Sequence, residues 1–221
     1  MRHAYITGSA GFIGFYLAEL LLQEGWSVTG LDGLTDYYDV RLKRRRLQML
    51  GQHKNFNPIT EMLEDEDAVM NSVAAAKPDV IVHLAAQAGV RFSLENPRAY
   101  MQSNVLGTFN VMEAARVHGV THLMMASTSS VYGANTQMPF HENDKADTPL
   151  TSMPQRKKPM RPWPIPMRIC GIFRQQCSAF LQSTVLGGAL IWRFISLLMP
   201  CSKGGQLIFT TMATCIETSP M

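Results

Sequence analysis

What most constrains this chain is an alternation of short apolar runs with amphipathic stretches, repeated along residues 1–150 and lost after them. His3–Thr7 reads as a buried strand. Over residues 12–24, Ile13, Leu17, Leu20 and Leu21 keep the spacing of one helix face, and Gly25 suits the position after the helix end. Ser27–Leu31 is the next strand, closed by Asp32. Residues 38–50 form a charged helix, 57–63 a weaker strand and 65–76 another helix. Lys77-Pro78-Asp79 then turns the chain into a strand over 80–84. Residues 104–118 read as one long helix, and 122–126 as the fifth strand. Apolar strands joined by helical crossovers predict an α/β fold with a doubly wound parallel sheet. Ligands of such sheets sit outside the carboxyl ends of the strands. Polar clusters fall there at residues 7–14, 32–36 and 127–130.

Charge and composition break at Leu150. Residues 1–150 hold 16 of the 17 acidic residues and all six tyrosines, whereas all four cysteines and seven of the 12 prolines lie beyond. The first part carries 12 Lys and Arg against 16 Asp and Glu, net −4; residues 151–221 carry eight against one, net +7. The formal +3 of the whole chain therefore comes from the tail and does not indicate a nucleic-acid partner. The run Arg41, Lys43, Arg44, Arg45 and Arg46 reads as a solvated helix face rather than a phosphate patch. No long apolar leader opens the chain and no cysteine precedes Cys170, so a cytoplasmic protein is expected. Cys170, Cys177, Cys201 and Cys215 lack zinc-like spacing, and no metal is expected. Residues 179–199 are apolar, but Gln182, Ser183, Arg193 and Ser196 interrupt them, and no membrane span is expected.

Gly8-Ser9-Ala10-Gly11-Phe12-Ile13-Gly14 directly follows a strand and opens a helix. Gly8 permits the tight turn, and Gly11 lets backbone N–H groups approach a pyrophosphate at the helix N-terminus. Gly14 allows close packing of helix on strand. Asp32 stands 18 residues after Gly14, at the end of the second strand. A carboxylate there accepts from both ribose hydroxyls and repels a 2′-phosphate, which favours NAD over NADP. The bland alternatives are a plain glycine-rich turn, with Asp32 as a loop cap. His83, at another strand end, reads as a satisfied structural histidine.

Four strings together resemble a single family: TGSAGFIG from Thr7, LDGLTDYYDVRLK from Leu31, HLAAQAGVRFSLENP from His83 and ASTSSVYGAN from Ala126. The chain resembles the Rossmann-type nucleotide-sugar epimerases of the extended short-chain dehydrogenase/reductase group. Among them it is most similar to the UDP-glucuronate 4-epimerases; UDP-glucose 4-epimerases share the overall plan. The resemblance covers residues 1–150. It implies that Gly8, Gly11, Phe12, Ile13 and Gly14 hold the pyrophosphate of NAD and that Asp32 holds the adenosine ribose. Leu84, Ala85, Ala86 and Gln87 would line the nicotinamide side, with Asn104 supporting that wall. Thr128 would hydrogen-bond the 4-hydroxyl of a UDP-sugar, with Ser129 and Ser130 beside it. Arg91 is a candidate partner for a carboxylate or phosphate, or else a surface arginine. Met62-Leu63 stand where an Asp often contacts adenine.

In the family a tyrosine phenolate takes the proton from the sugar 4-hydroxyl while C4 passes hydride to NAD. The 4-keto sugar rotates and takes the hydride back on its other face. A lysine four residues after the tyrosine lowers its pKa and binds the nicotinamide ribose. Family members often form homodimers.

The family continues P-L-S-x-Y-A-A-T-K-K, where this chain has Pro149, Leu150, Thr151, Ser152, Met153, Pro154, Gln155, Arg156, Lys157 and Lys158. Met153 stands in the tyrosine's place, and Lys157 in the lysine's. Five prolines between Pro154 and Pro166 fall where a long helix belongs, and an interior proline costs about 3 kcal/mol. Reading the possible codons from Ser152 onward one base earlier spells YAATKKANEAMAHSYAHL. In the same phase FTTMATCIETSPM, starting at Phe209, spells YNNGDMYRDFTY, similar to an RDFTY segment late in the family. A net one-base loss near codon 151 accounts for both; the alternative is a divergent C-terminal domain.

Residues 1–150 are therefore expected to be an incomplete NAD-binding domain. Residues 151–221 are expected to be an irregular, out-of-frame tail, and the chain as written to be inactive. Two other classes stay open: a non-catalytic NAD-binding module, and a nucleotide-sugar dehydratase, although Thr128-Ser129-Ser130 lacks the acid pair that chemistry usually wants. Sequencing the gene tests the frame. The Ser152 codon is expected to end in a pyrimidine and the Arg156 codon in A. The Ile216 codon is expected not to be ATT, which would put a stop in the parent phase; ATT there contradicts the account.

Overall fold

The computed structural model describes residues 1–88, 90–126 and 168–170. Thr128, Ser129, Ser130, Met153 and Lys157, and the side chain of Arg91, lie outside the described residues. The chain runs β1 (His3–Thr7), α1 (Phe12–Gln23), β2 (Ser27–Leu31), α2 (Val40–Leu50), β3 (Phe56–Ile59), α3 (Glu66–Ala76) and β4 (Val80–His83). Two short helices follow, α4 (Val90–Glu95) and α5 (Pro97–Tyr100), then a π-helical stretch Met101–Gly107, α6 (Thr108–Val117) and β5 (His122–Met125). A last strand, β6 (Arg168–Cys170), pairs with β5.

All pairings are parallel, in the order β3-β2-β1-β4-β5-β6. This is the Rossmann order, and the direction of winding reverses between β1 and β4. Thr7 lies in register with Leu31 on one side and with His83 on the other, so three strand ends share one line. One face of the sheet packs on α3 and α6. There Tyr5, Ile81 and Leu123 form a row across β1, β4 and β5, sealed by Val69, Val73, Val111 and Ala115. Helix α1 covers β1 and β2 and buries Phe15, Leu17, Ala18, Leu21 and Leu22. Burial of each large aliphatic side chain contributes about 1.5–3 kcal/mol. With both sides covered, β1 and β4 are apolar without alternation, as expected for a parallel sheet.

The larger departures from the sequence reading are these. Helix α2 starts at Val40, not at Tyr38, because the Asp39 side chain caps it, accepting from the Arg41 amide at 2.9 Å. Strand β3 spans Phe56–Ile59 rather than 57–63; Pro58 is tolerated because β3 is an edge, and Leu63 leaves the sheet for the core. The expected helix over 104–118 is a π-helical stretch followed by α6, with the helical path beginning earlier, at Pro97. The tail, expected to be irregular, supplies β6. No helix among the described residues is long and apolar enough to cross a membrane.

Tyr5 ties the sheet to α3. Ser72 donates to the Val69 carbonyl at 2.9 Å, so the Tyr5 hydroxyl, 2.6 Å away, donates to Ser72. Burial pushes the Tyr5 phenol up to about 12. Folding therefore favours the neutral phenol, and this contribution is full below pH 10 and lost as pH rises toward 12. Tyr5→Phe is expected to cost about 1 kcal/mol at neutral pH. It should also flatten the fall in thermal midpoint between pH 10 and 12, which calorimetry across that range checks.

Candidate functional site

A cleft opens at the carboxyl edge where β1, β2 and β4 end. Gly8, Gly11, Leu31, Asp32, Gly33, Thr35, Tyr38 and Lys43 line one part of it, Met62, Leu63 and Glu64 another, and Leu84–Gln87 with Ser103 a third. The wall is built from five separate stretches of sequence, brought together by the parallel pairing and the helices packed on it.

Gly8 holds a left-handed backbone, φ 77°, and a Cβ there would come within 2.9 Å of the Ala85 amide nitrogen. A Cβ on Gly14 would run into the Gly8 carbonyl. The turn thus fits only glycine at both places, and it presses the start of α1 against the ends of β1 and β4. Gly11 is the N-cap of α1, and no side chain caps this end. A helix start without a side-chain cap suits an anion.

Asp32 is buried at the end of β2. Its Oδ2 accepts from the Ala10 amide at 3.0 Å and its Oδ1 from the Leu34 amide at 2.9 Å. A carboxylate has about four acceptor positions, so both oxygens keep capacity for further donors. Asp32 therefore also cross-links the glycine turn to the loop after β2, a role beyond ligand binding.

Among the residues singled out in the sequence, Gly8, Gly11, Asp32, Leu84, Ala85, Ala86 and Gln87 line the cleft. Phe12 and Ile13 do not. Phe12 is 37% exposed, packs edge-on against Tyr16 and lies under the Arg46 guanidinium, so only its backbone could serve an anion at the helix start. Asn104 stands behind the wall: its Oδ1 accepts from the Gln87 amide at 2.7 Å, and its Nδ2 donates to the Gln87 carbonyl at 2.9 Å. It does so from the middle of the π-helical stretch, a local widening of the helix that periodicity does not reveal.

Lys43 overturns the reading of the basic run as a wholly solvated face. It is 6% exposed; its Nζ donates to Thr35 Oγ1 at 3.0 Å, lies 3.7 Å from Asp32 Oδ1 and sits over the Tyr38 ring. The signal was present, because Lys43 shares the inward stripe of α2 with Leu47 and Leu50. Arg46 also turns inward, donating to the Ala10 carbonyl at 3.1 Å and to the Tyr38 hydroxyl at 3.2 Å. Burial raises the Tyr38 phenol, with Arg46 opposing. Thr7, read only as the start of a polar cluster, and Thr108, not singled out, are both buried, and each bonds to His83. No cluster of metal-ligating side chains occurs among the described residues.

A glycine turn and a strand-end carboxylate at the switch point of this sheet define a Rossmann-type α/β domain. A family model described as GDP-mannose 4,6 dehydratase matches residues 5–152, and the chain belongs to that family, in which the nucleotide-sugar epimerases of the sequence reading also fall. Over 155 residues it is 53% identical to a probable UDP-glucuronate 4-epimerase of Rhizobium meliloti (strain 1021), covering 70% of this chain and 46% of that one. To a UDP-glucuronate 4-epimerase of Thermodesulfobacterium geofontis it is 44% identical over 158 residues, 72% of this chain and 49% of that one. A mutant UDP-glucuronic acid 4-epimerase from Bacillus cereus, crystallised with UDP-4-deoxy-4-fluoro-glucuronic acid and NAD, superposes with a TM-score of 0.65 at 30% identity. That match covers 71% of this chain and 49% of the other. The chain spans about half the length of the curated relatives it matches.

Gly14→Ala tests the close approach at the turn. Overpacking against the Gly8 carbonyl is expected to cost about 1–3 kcal/mol, read as a lower denaturation midpoint with an unchanged slope. A wild-type midpoint would contradict the geometry.

Proposed function

We propose that residues 1–150 are the coenzyme-binding part of an NAD-dependent 4-epimerase acting on UDP-glucuronate, and that the chain as written does not turn over. The observation that carries this reading is the cleft itself: a glycine turn at an uncapped helix start, beside a buried carboxylate, at the switch point of the sheet. These residues fit a dinucleotide. The backbone of residues 8–14 would carry the pyrophosphate, Asp32 would accept from the adenosine ribose hydroxyls, and Leu84, Ala85, Ala86 and Gln87 would face the nicotinamide side with Asn104 behind them. Bound NAD supplies a reversible hydride acceptor.

Thr128, with Ser129 and Ser130, would hold the sugar 4-hydroxyl, and Arg91 an anionic group of the substrate. The proton of that hydroxyl must go to a base, and neutral hydroxyls are too weak alone. Met153 offers only a thioether, which cannot take it. Lys157 without its tyrosine has no phenolate to stabilise. The family model ends at residue 152, two positions past Leu150, which supports a tail outside the reading frame of the family. On this reading the protein works in the cytoplasm, and the frame-restored chain pairs with a second copy.

Incubation of this chain and of a frame-restored version with UDP-glucuronate and NAD tests the proposal. Formation of UDP-galacturonate is expected from the restored chain only. Equal turnover by the two would refute the role assigned to position 153. No turnover by the restored chain would refute the substrate.

A further inference from the structure

Thr7 ends β1, His83 ends β4 and Thr108 opens α6; all three are at most 2% exposed. Thr7 Oγ1 lies 2.8 Å from His83 Nδ1, and His83 Nε2 lies 3.0 Å from Thr108 Oγ1. The same Thr7 oxygen accepts from the Ala85 amide at 3.1 Å and shares the Leu84 amide, 3.2 Å away, with the Thr7 carbonyl, also at 3.2 Å. A hydroxyl has two lone pairs and one proton. The Ala85 amide and the shared Leu84 amide point at its lone pairs, which directs the Thr7 proton to His83 Nδ1. Nδ1 is therefore the acceptor, and the ring carries its proton on Nε2, donated to Thr108. The backbone thus dictates the tautomer: amides to Thr7, Thr7 to His83, His83 to Thr108.

We propose that His83 is a positioning residue, which in its Nε2–H form orients the Thr7 hydroxyl so that Leu84 and Ala85 are held as the wall of the cleft. The ring is not among the residues lining the cleft. Its effect passes through Thr7 to a wall in contact with the glycine turn, where the Gly8 position leaves only 2.9 Å between a Cβ and the Ala85 nitrogen. A wall displaced by a few tenths of an ångström would press on the turn meant for the pyrophosphate. The proposal rests on the reading of this cleft as a dinucleotide site.

Two substitutions separate positioning from bulk structure. His83→Asn puts an acceptor oxygen in the place of Nδ1, serving Thr7 and abandoning Thr108. His83→Gln puts a donor nitrogen in the place of Nε2, serving Thr108 and abandoning Thr7. Each deletes one buried hydrogen bond, so a merely structural histidine predicts similar losses. Positioning predicts that NAD affinity of the full chain, measured by titration calorimetry, falls about tenfold in His83→Gln but less than about threefold in His83→Asn. Thermal midpoints should fall alike in the two.

Long-range proton–nitrogen correlation spectra of the wild-type chain should place the ring proton on Nε2. Thr7→Ser should keep both this signature and the affinity, and Thr7→Val should lose both, which carries the test if the His83 variants do not fold. A proton on Nδ1 in the wild type, equal affinity losses in the two His83 variants, or wild-type affinity in Thr7→Val overturns the proposal. A wild-type chain with the Nε2 proton that binds no NAD overturns the dinucleotide reading and this role with it. NAD binding indifferent to His83→Gln overturns the role alone.

Discussion

Parallel strands cannot be joined by a hairpin; each pairing needs a crossover that returns the chain to the same edge. In this chain that constraint puts the carboxyl ends of β2, β1 and β4 side by side, with Leu31, Thr7 and His83 in register. Everything in the cleft follows from that line. Asp32 is one residue past β2, Gly8 one past β1 and Leu84 one past β4, so sequence positions far apart become one wall. The strand ends are then locked together: the Gly8 amide donates to the Leu31 carbonyl at 2.7 Å, and the Leu84 amide to the Thr7 carbonyl at 3.2 Å. Asp32 adds its bonds to the Ala10 and Leu34 amides. The groups proposed for an anion and for a ribose are thus held in place by the fold itself, which reduces what ordering would otherwise cost on binding.

Much of this could be read from residues alone, for identifiable reasons. β1 and β2 matched to the residue, because each is a short apolar run closed by a turn residue or a carboxylate. The glycine turn was legible because two of its positions admit nothing larger than glycine. What escaped depends on tertiary context. Lys43 shares a stripe with Leu47 and Leu50, but its reach to Asp32 and Thr35 depends on α2 lying with that stripe toward the cleft. The π-helical stretch has no periodic signature, yet it carries Asn104 to Gln87 and Ser103 to the cleft. Thr7 looked like the last residue of a strand. Its hydroxyl is instead the meeting point of two amides and a buried histidine.

The resemblance read from four strings holds at the level of the family, and the family model stops within two residues of the compositional break. The two facts divide the chain in the same place. Before the break, the described residues form β1 to β5 and the cleft. After it, β6 is the described element, and the residues on which catalysis would turn lie outside the described set. On the proposed reading, coenzyme binding and the catalytic base are physically independent, because the cleft is made by backbone turns and strand ends while the base is a single side chain. On that reading, family membership does not by itself carry activity.

Hydrogen–deuterium exchange of the 221-residue chain, with and without NAD, examines that central claim directly. The account predicts slowed exchange on adding NAD at residues 8–14, at Gly33 and Leu34 after β2, and at residues 84–87, with α3 unchanged. Exchange in those three stretches that is indifferent to NAD would contradict it.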